Sequence, residues 1–207
     1  MLLTLVQLIC WVVFIYLGIS ALYLFISALA GRIIPSKRYI SSPEKKRIAV
    51  LLPTYKEDAI IVHSALMAKK HNYPADKFEV YVAADSIKPE TIQKLRAIPV
   101  QVLEVSFEKS SKARSLNQLL NSIPVGAYDV ALVLDADNVM LEGCMESINA
   151  AFQSGYKAVQ VHRTSKNKNT TSAVLDSLSE EVNNHMYRRG VRALGFSSAL
   201  IGSGMAF

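Results

Sequence analysis

The chain has 207 residues, of which 51% are hydrophobic and 19% charged, with a formal net charge of +6. That length suits one domain, or one domain with an appendage. The apolar content excludes intrinsic disorder, and 9 Gly with 7 Pro exclude a collagen-like or low-complexity chain. Two cysteines, Cys10 and Cys144, are too few for a disulfide framework and fit a reducing compartment.

The positive charge is local. Between positions 32 and 47, Arg32, Lys37, Arg38, Lys45, Lys46 and Arg47 stand against Glu44 alone, so +5 of the +6 lies there. A nucleic-acid-binding chain carries its basic stripe on the folded domain, so no nucleic-acid partner is expected.

Leu2 through Gly31 contains no Asp, Glu, Lys or Arg. A bilayer core takes about 20 apolar helical residues, and Trp11, Tyr16 and Tyr23 suit an interface or lipid. Residues 1–31 are therefore expected to form one transmembrane anchor. The rival is a cleaved signal peptide, since Ala28-Leu29-Ala30 resembles a cleavage site. The missing basic n-region, and an apolar stretch well beyond the usual h-region of about 7–15 residues, argue against it. Positive charge following the helix places residues 32 onward in the cytoplasm. Residues 32–47, broken by Pro35, Ser41-Ser42 and Pro43, read as a juxtamembrane linker, leaving residues 48–207 as the folded domain.

From Ile48 the pattern changes. Ile48–Leu52 is a short apolar run stopped by Pro53, as in a strand buried on both faces. Helical spacing follows over 58–71, with Ile61, Ala65 and Ala68 on one side. Strands are then predicted at 78–84, 100–105, 130–134 and 158–162, and helices at 89–97, 111–122, 142–154 and 172–189. In the last helix Val174, Leu178, Val182 and Met186 recur every four residues and are expected to face the core, while Arg188, Arg189 and Arg192 suit its end, the alternative being that they meet anionic lipid. Alternating strands and helices argue for an α/β fold with a mostly parallel sheet and helices on both faces. Ligands bind such sheets outside the carboxyl ends of the strands.

Those ends are acidic. Thr54, Tyr55 and Glu57 follow the first strand, Asp85-Ser86 the second, and Asp135-Ala136-Asp137 the fourth. In an extended strand end Asp135 and Asp137 would point to the same side, about 6.6 Å apart. Such a carboxylate pair favours a hard divalent cation, Mg²⁺ or Mn²⁺, that keeps waters and recruits substrate phosphates. The alternative is that Asp137 or Asn138 caps the helix beginning near Glu142. Lys112 and Arg114 open a predicted helix, where backbone amides and a cation suit a diphosphate; a solvated helix face is the other reading. His63 and His71 are expected at the surface or partly packed, and the Asn169-Thr170-Thr171 sequon would go unused in the cytoplasm.

Pro53-Thr54-Tyr55-Lys56-Glu57, Ala84-Asp85-Ser86, Lys112-Ala113-Arg114-Ser115-Leu116-Asn117, Asp135-Ala136-Asp137 and Gly202-Ser203-Gly204-Met205-Ala206-Phe207 resemble, in order, the motifs of family-2 inverting glycosyltransferases. In style they are similar to membrane-bound members such as cellulose, hyaluronan and poly-N-acetylglucosamine synthases. The resemblance implies a Rossmann-like GT-A fold over residues 48–207. It also implies transfer of a sugar, with inversion, from a nucleotide-sugar donor, UDP-linked by family tendency, to a glycan or lipid acceptor. By the same resemblance Thr54, Tyr55, Glu57 and Asp85 would bind base and ribose, with Pro53 and Ala136 in the same nucleotide-sugar set. Lys112 would lie near the diphosphate, Asp135 near ribose and metal, and Asp137 would ligate the metal. The Gly202–Ser203–Gly204 turn would approach donor sugar or acceptor. Many members have Asn where this chain has Lys56. The family's general base follows the Gly-rich turn and is expected beyond Phe207, as are the Gln-x-x-Arg-Trp segment and later membrane helices. The chain is therefore expected to be an amino-terminal fragment, and a non-catalytic nucleotide-sugar-binding role is the alternative.

Overall fold

A computed structural model describes residues 1–35, 39 and 42–207; Lys37 and Arg38 of the basic cluster and Ser41 of the linker lie outside the described residues. The chain forms two compact units: Tyr39–Val161 with Leu200–Phe207, and Met1–Arg38 with His162–Ala199.

The first unit is built on a six-stranded sheet of order β3-β2-β1-β4-β6-β5. Its strands are β1 (Ile48–Tyr55), β2 (Phe78–Asp85), β3 (Gln101–Val105), β4 (Val130–Val133), β5 (Val159–Gln160) and β6 (Met205–Ala206). The first four pair in parallel, and β6 runs antiparallel between β4 and β5. Alternation along β1 explains the layering. Ile48, Val50 and Leu52 face a core shared with Ile61 and Ala65 of α2 (Ile61–Lys69), Leu95 of α3 (Pro89–Arg96), and Met145 and Ile148 of α5 (Cys144–Gln153). Ala49 and Leu51 face the other way, onto Leu119 and Leu116 of α4 (Lys112–Ser122). Both faces are covered, which is why the strands read as continuous apolar runs.

The end of β1 differs from the sequence expectation. Pro53 does not stop β1, which continues to Tyr55 in register with β2. Pairing with β4 ends at Leu51, so Pro53 sits where β1 has a neighbour on one side only, a position that tolerates a missing N–H. The strand β6 was not predicted: two residues carry no periodicity.

The second unit pairs α1 (Leu2–Ile33) with the helical run α6 (Thr171–Asn183), a π-helical turn (Asn184–Gly190) and α7 (Val191–Ala193). Thr170 caps α6, its Oγ1 accepting from the N–H of Ala173 at 3.2 Å. The middle residue of the sequon thus has a structural role. An 18-residue window of α1 has mean hydropathy 2.4 and none of it is buried. Contact is confined to its end, where Ser27, Ala30 and Gly31 are buried. There the backbones nearly touch: a Cβ on Gly190 would lie 2.1 Å from the Ser27 carbonyl oxygen, and His185 Nε2 lies 2.9 Å from the Ala28 carbonyl. The expected core-facing stripe on α6 is corrected. Val174, Leu178 and Val182 are exposed, Met186 in the turn is half-buried, and the residues that pack inward are Ser177 and Asn184. A four-residue period identifies a face without saying what covers it.

Candidate active site

The site residues collect at the carboxyl ends of β2, β1 and β4, three neighbouring strands. Asp85 ends β2 opposite Tyr55 and is fully buried. Its Oδ1 accepts from Ser86 Oγ at 3.0 Å, while its Oδ2 is buried without a hydrogen-bond partner. Leaving a buried carboxylate oxygen unpaired costs free energy, so this atom calls for a donor from outside the chain. The residues that follow β1 and β2, Lys56 (φ 56°) and Ser86 (φ 55°), are both left-handed, backbone that non-glycine residues rarely adopt and that clusters at functional sites. Glu57 and Tyr55 are exposed, and Lys56 Nζ lies 4.9 Å from the centre of the Tyr55 ring. A hydrogen bond from Lys56 to Tyr55 holds the Lys56 ammonium above its usual range.

A cleft of about 160 Å³ separates the end of β1 from the start of α4, lined by Pro53, Thr54, Tyr55, Ser110, Ser111, Lys112 and Ser115. Ser111 caps α4, its Oγ accepting from the N–H of Arg114 at 3.3 Å. The Arg114 side chain turns back to the Lys109 carbonyl at 2.6 Å, so Lys112 is the cation that faces the acids. Its ammonium donates to Asp135 Oδ1 and to the Gly202 carbonyl. One lysine thereby joins the start of α4, the end of β4 and the glycine turn. A larger hollow of about 490 Å³ opens near Lys46 and Asp129, at the amino ends of the strands. Two of its charges are paired, Lys45 with Glu146 at 2.6 Å and Asp129 with Arg47 at 3.1 Å, and the acids at the sheet's carboxyl ends are not there.

The Asp135–Asp137 segment is a turn, not the extended strand end that the 6.6 Å spacing assumed: β4 stops at Val133 and the N–H of Asn138 donates to the Asp135 carbonyl at 3.0 Å. The turn buries Ala136 in the apolar core, which removes it from the surface of the cleft, and leaves Asp137 exposed. Capping of α5 is excluded as well. Its N-cap is Gly143, and Asn138 instead donates to Ser203 Oγ at 2.5 Å.

The glycine turn is locked to these acids. Ser203 is fully buried, and its Oγ also accepts the backbone N–H of Asp135 at 2.9 Å. Gly202 (φ 82°) and Gly204 (φ 67°) take left-handed backbone that fits glycine. Sequence reasoning missed Gln160. Its Nε2 donates to the Ser203 carbonyl at 2.9 Å, and its Oε1 accepts from the N–H of Ile201 at 2.9 Å. Only a polar residue at the end of a two-residue strand hinted at this.

Among the described residues no three His, Cys, Asp or Glu side chains form a group that could hold a metal. Asp135 and Asp137, both hard oxygen donors in one turn, fit a divalent cation that arrives with substrate phosphates and keeps waters, not an all-protein cage. Burial pushes the Cys144 thiol up to about 11, which makes it an inert core group.

Comparison with known proteins agrees with this architecture. The model of glycosyltransferase like family 2 matches residues 43–207. Two glucans biosynthesis glucosyltransferase H proteins of Rhodopseudomonas palustris, from strains CGA009 and TIE-1, are each 31% identical over 120 residues, 52% of this chain and 17% of theirs. The match thus spans about a sixth of those relatives. A mannosyltransferase from Pyrobaculum calidifontis, solved with GDP-Man and Mn²⁺, aligns with TM-score 0.55 and 20% identity over 71% of this chain and 46% of its own. Glucosyl-3-phosphoglycerate synthase from Mycobacterium tuberculosis, solved with Mn²⁺, UDP and phosphoglyceric acid, aligns with TM-score 0.51 and 15% identity over 84% and 63%. At such identities the likeness is one of fold, the GT-A arrangement. With four-fifths of its length matched by the family model, the chain belongs to glycosyltransferase family 2.

Proposed function

We propose that the chain binds a nucleotide-sugar donor, UDP-linked, and serves inverting transfer of its sugar to a glycan or lipid acceptor from the cytoplasmic face of a membrane. The observation that carries this reading is Asp85, buried at the sheet's carboxyl end with one oxygen unpartnered. An N–H or O–H of the nucleoside would satisfy it. Thr54, Tyr55 and Pro53 line the adjoining cleft, with Glu57 at its margin. Lys112, already the cation beside Asp135, would bind the diphosphate by charge-assisted hydrogen bonds. Asp135 and Asp137 would hold Mg²⁺ or Mn²⁺, which neutralises charge that grows on the departing diphosphate. Gly202, Ser203 and Gly204, fastened by Gln160, would present a fixed turn to the donor sugar or acceptor. The acceptor hydroxyl must also lose a proton; Lys112, an ammonium, cannot accept it, and Asp135 is engaged with Lys112.

The domain plan that goes with this reading is an anchor over 1–31, a basic linker over 32–47 and the transferase domain over 48–207. The length and apolarity of α1 support the anchor, and Arg32 at its end supports a cytoplasmic domain. Calorimetric titration with UDP and Mn²⁺ tests the site. Binding that needs Mn²⁺ and is lost in Asp137→Ala and Asp85→Ala supports the proposal. Unchanged metal-dependent binding in both variants overturns the assignment.

A further inference from the structure

Helix α6 is built inside out. At 100° per residue, Val174, Leu175, Leu178 and Val182 fall within an arc of about 100°, and they are 39%, 61%, 58% and 50% exposed. The side that packs inward holds Ser177 and Asn184, both buried, the latter donating to the Arg163 carbonyl at 2.8 Å. Asp176 and Ser179 lie outside the apolar arc and are exposed. A water-facing helix would place its apolar residues the other way round.

What covers this face is indicated by what the helix stands on. The π-helical turn that continues α6 packs against Ser27–Gly31 of α1, through Gly190 and His185. Those residues end the uncharged stretch of α1, one position before Arg32. If α1 spans a bilayer, hydrocarbon gives way to headgroups at this level. The run from His162 to Ala199 carries six basic residues, Arg163, Lys166, Lys168, Arg188, Arg189 and Arg192, against Asp176, Glu180 and Glu181. Tyr187 and Phe196 are exposed beside the turn, as aromatic residues are at membrane interfaces.

We infer that α6 and the turn that follows it form an interfacial platform, the arc Val174–Leu175–Leu178–Val182 resting in the headgroup region of an anionic membrane. The inference rests on the anchoring role proposed for α1, and the experiment separates the two. The full chain, with Cys10→Ser and Cys144→Ser, is reconstituted into phosphatidylglycerol/phosphatidylcholine vesicles. A bimane label is attached at Leu178→Cys, Asp176→Cys or Leu17→Cys in separate preparations whose circular dichroism matches the parent. Spin-labelled lipid is expected to cut emission several-fold at Leu178→Cys and Leu17→Cys, while aqueous iodide quenches Asp176→Cys. Iodide quenching at Leu178→Cys overturns the platform. So does shielding from both quenchers, which would mean that a second copy or a further segment of protein covers the arc. Lipid quenching at Leu17→Cys alone removes the platform and keeps the anchor; at Leu178→Cys alone it keeps the platform and removes the anchor; at neither it removes both.

Discussion

The hydroxyl of Ser203 accepts the backbone N–H of Asp135 at 2.9 Å, so the glycine turn and the acidic turn after β4 are held by one buried oxygen. Ser203→Ala leaves that N–H, and the Asn138 amide, without their acceptor. A loss of about 1–3 kcal/mol is expected, read as a lowered midpoint in urea unfolding of the detergent-solubilised chain. UDP affinity should fall with it, because Asp135 loses its positional restraint.

Lys112 is expected to matter more for ligand than for folding. It bridges Asp135 and the Gly202 carbonyl but remains more than one-third exposed. Lys112→Met keeps the stem and removes the charge. Affinity for UDP should drop about 10- to 100-fold, the worth of a charge-assisted hydrogen bond, while affinity for uridine changes little. Equal losses for the two ligands would show that Lys112 does not meet the diphosphate.

Gln160 tests whether the turn needs its fastening. Gln160→Ala removes one acceptor and one donor used by Ile201 and Ser203. Stability should fall by about 1–2 kcal/mol. Donor-sugar turnover should fall in kcat with little change in the Kd for UDP, since the turn and not the nucleoside cleft is loosened. Gln160→Glu, which keeps the acceptor for Ile201, should recover part of the loss.

Acid sensitivity has a defined source. Hydrogen bonds from the side chain and backbone of Arg47 hold the Asp129 carboxyl below the usual carboxylate range. A carboxyl depressed in the folded state stabilises the fold above its unfolded pKa, about 3.9. That contribution is lost as pH falls through the folded value. The pair is solvent-exposed, so the effect should be small and weakened by salt. Unfolding midpoints of Asp129→Asn and parent should converge once acid has protonated the carboxyl in the folded state, the parent being the more stable near pH 7.

Gly190 sets how closely α1 is approached. A methyl group there would lie 2.1 Å from the Ser27 carbonyl oxygen and 2.7 Å from its carbon, both backbone atoms that cannot rotate away. Gly190→Ala should therefore cost about 1–3 kcal/mol or more. Limited proteolysis of the chain in detergent should cut near residues 184–190 sooner than in the parent, whereas Gly126→Ala, at an open site, should not change that pattern.

Much of this architecture was written in the sequence, for local reasons. The runs of β1, β2 and β4 stand out because both faces of those strands are buried, and the acids terminating them mark where the sheet meets solvent. Thr54 and Lys112, from two of the motifs, line one cleft, and Ser203 bonds Asp135. Geometry was less legible. The Asp135–Asn138 turn depends on one backbone hydrogen bond, and Ala136 is drawn into the core by neighbours distant in sequence. The role of Gln160 is set by partners some forty residues away. Helix α6 was misjudged because periodicity reports an apolar face and not its environment.

The place of β6 bears on how the chain comes off the ribosome. Leu132 and Ala206 are partners in the ladder, yet one is synthesised long before the other. Until residues 205 and 206 have emerged, β4 and β5 both present unpaired edges to other nascent chains, the kind of template on which strands of separate molecules aggregate. Closure across so long a separation is slow. Met205 and Ala206 thus act as a clasp that joins β4 to β5.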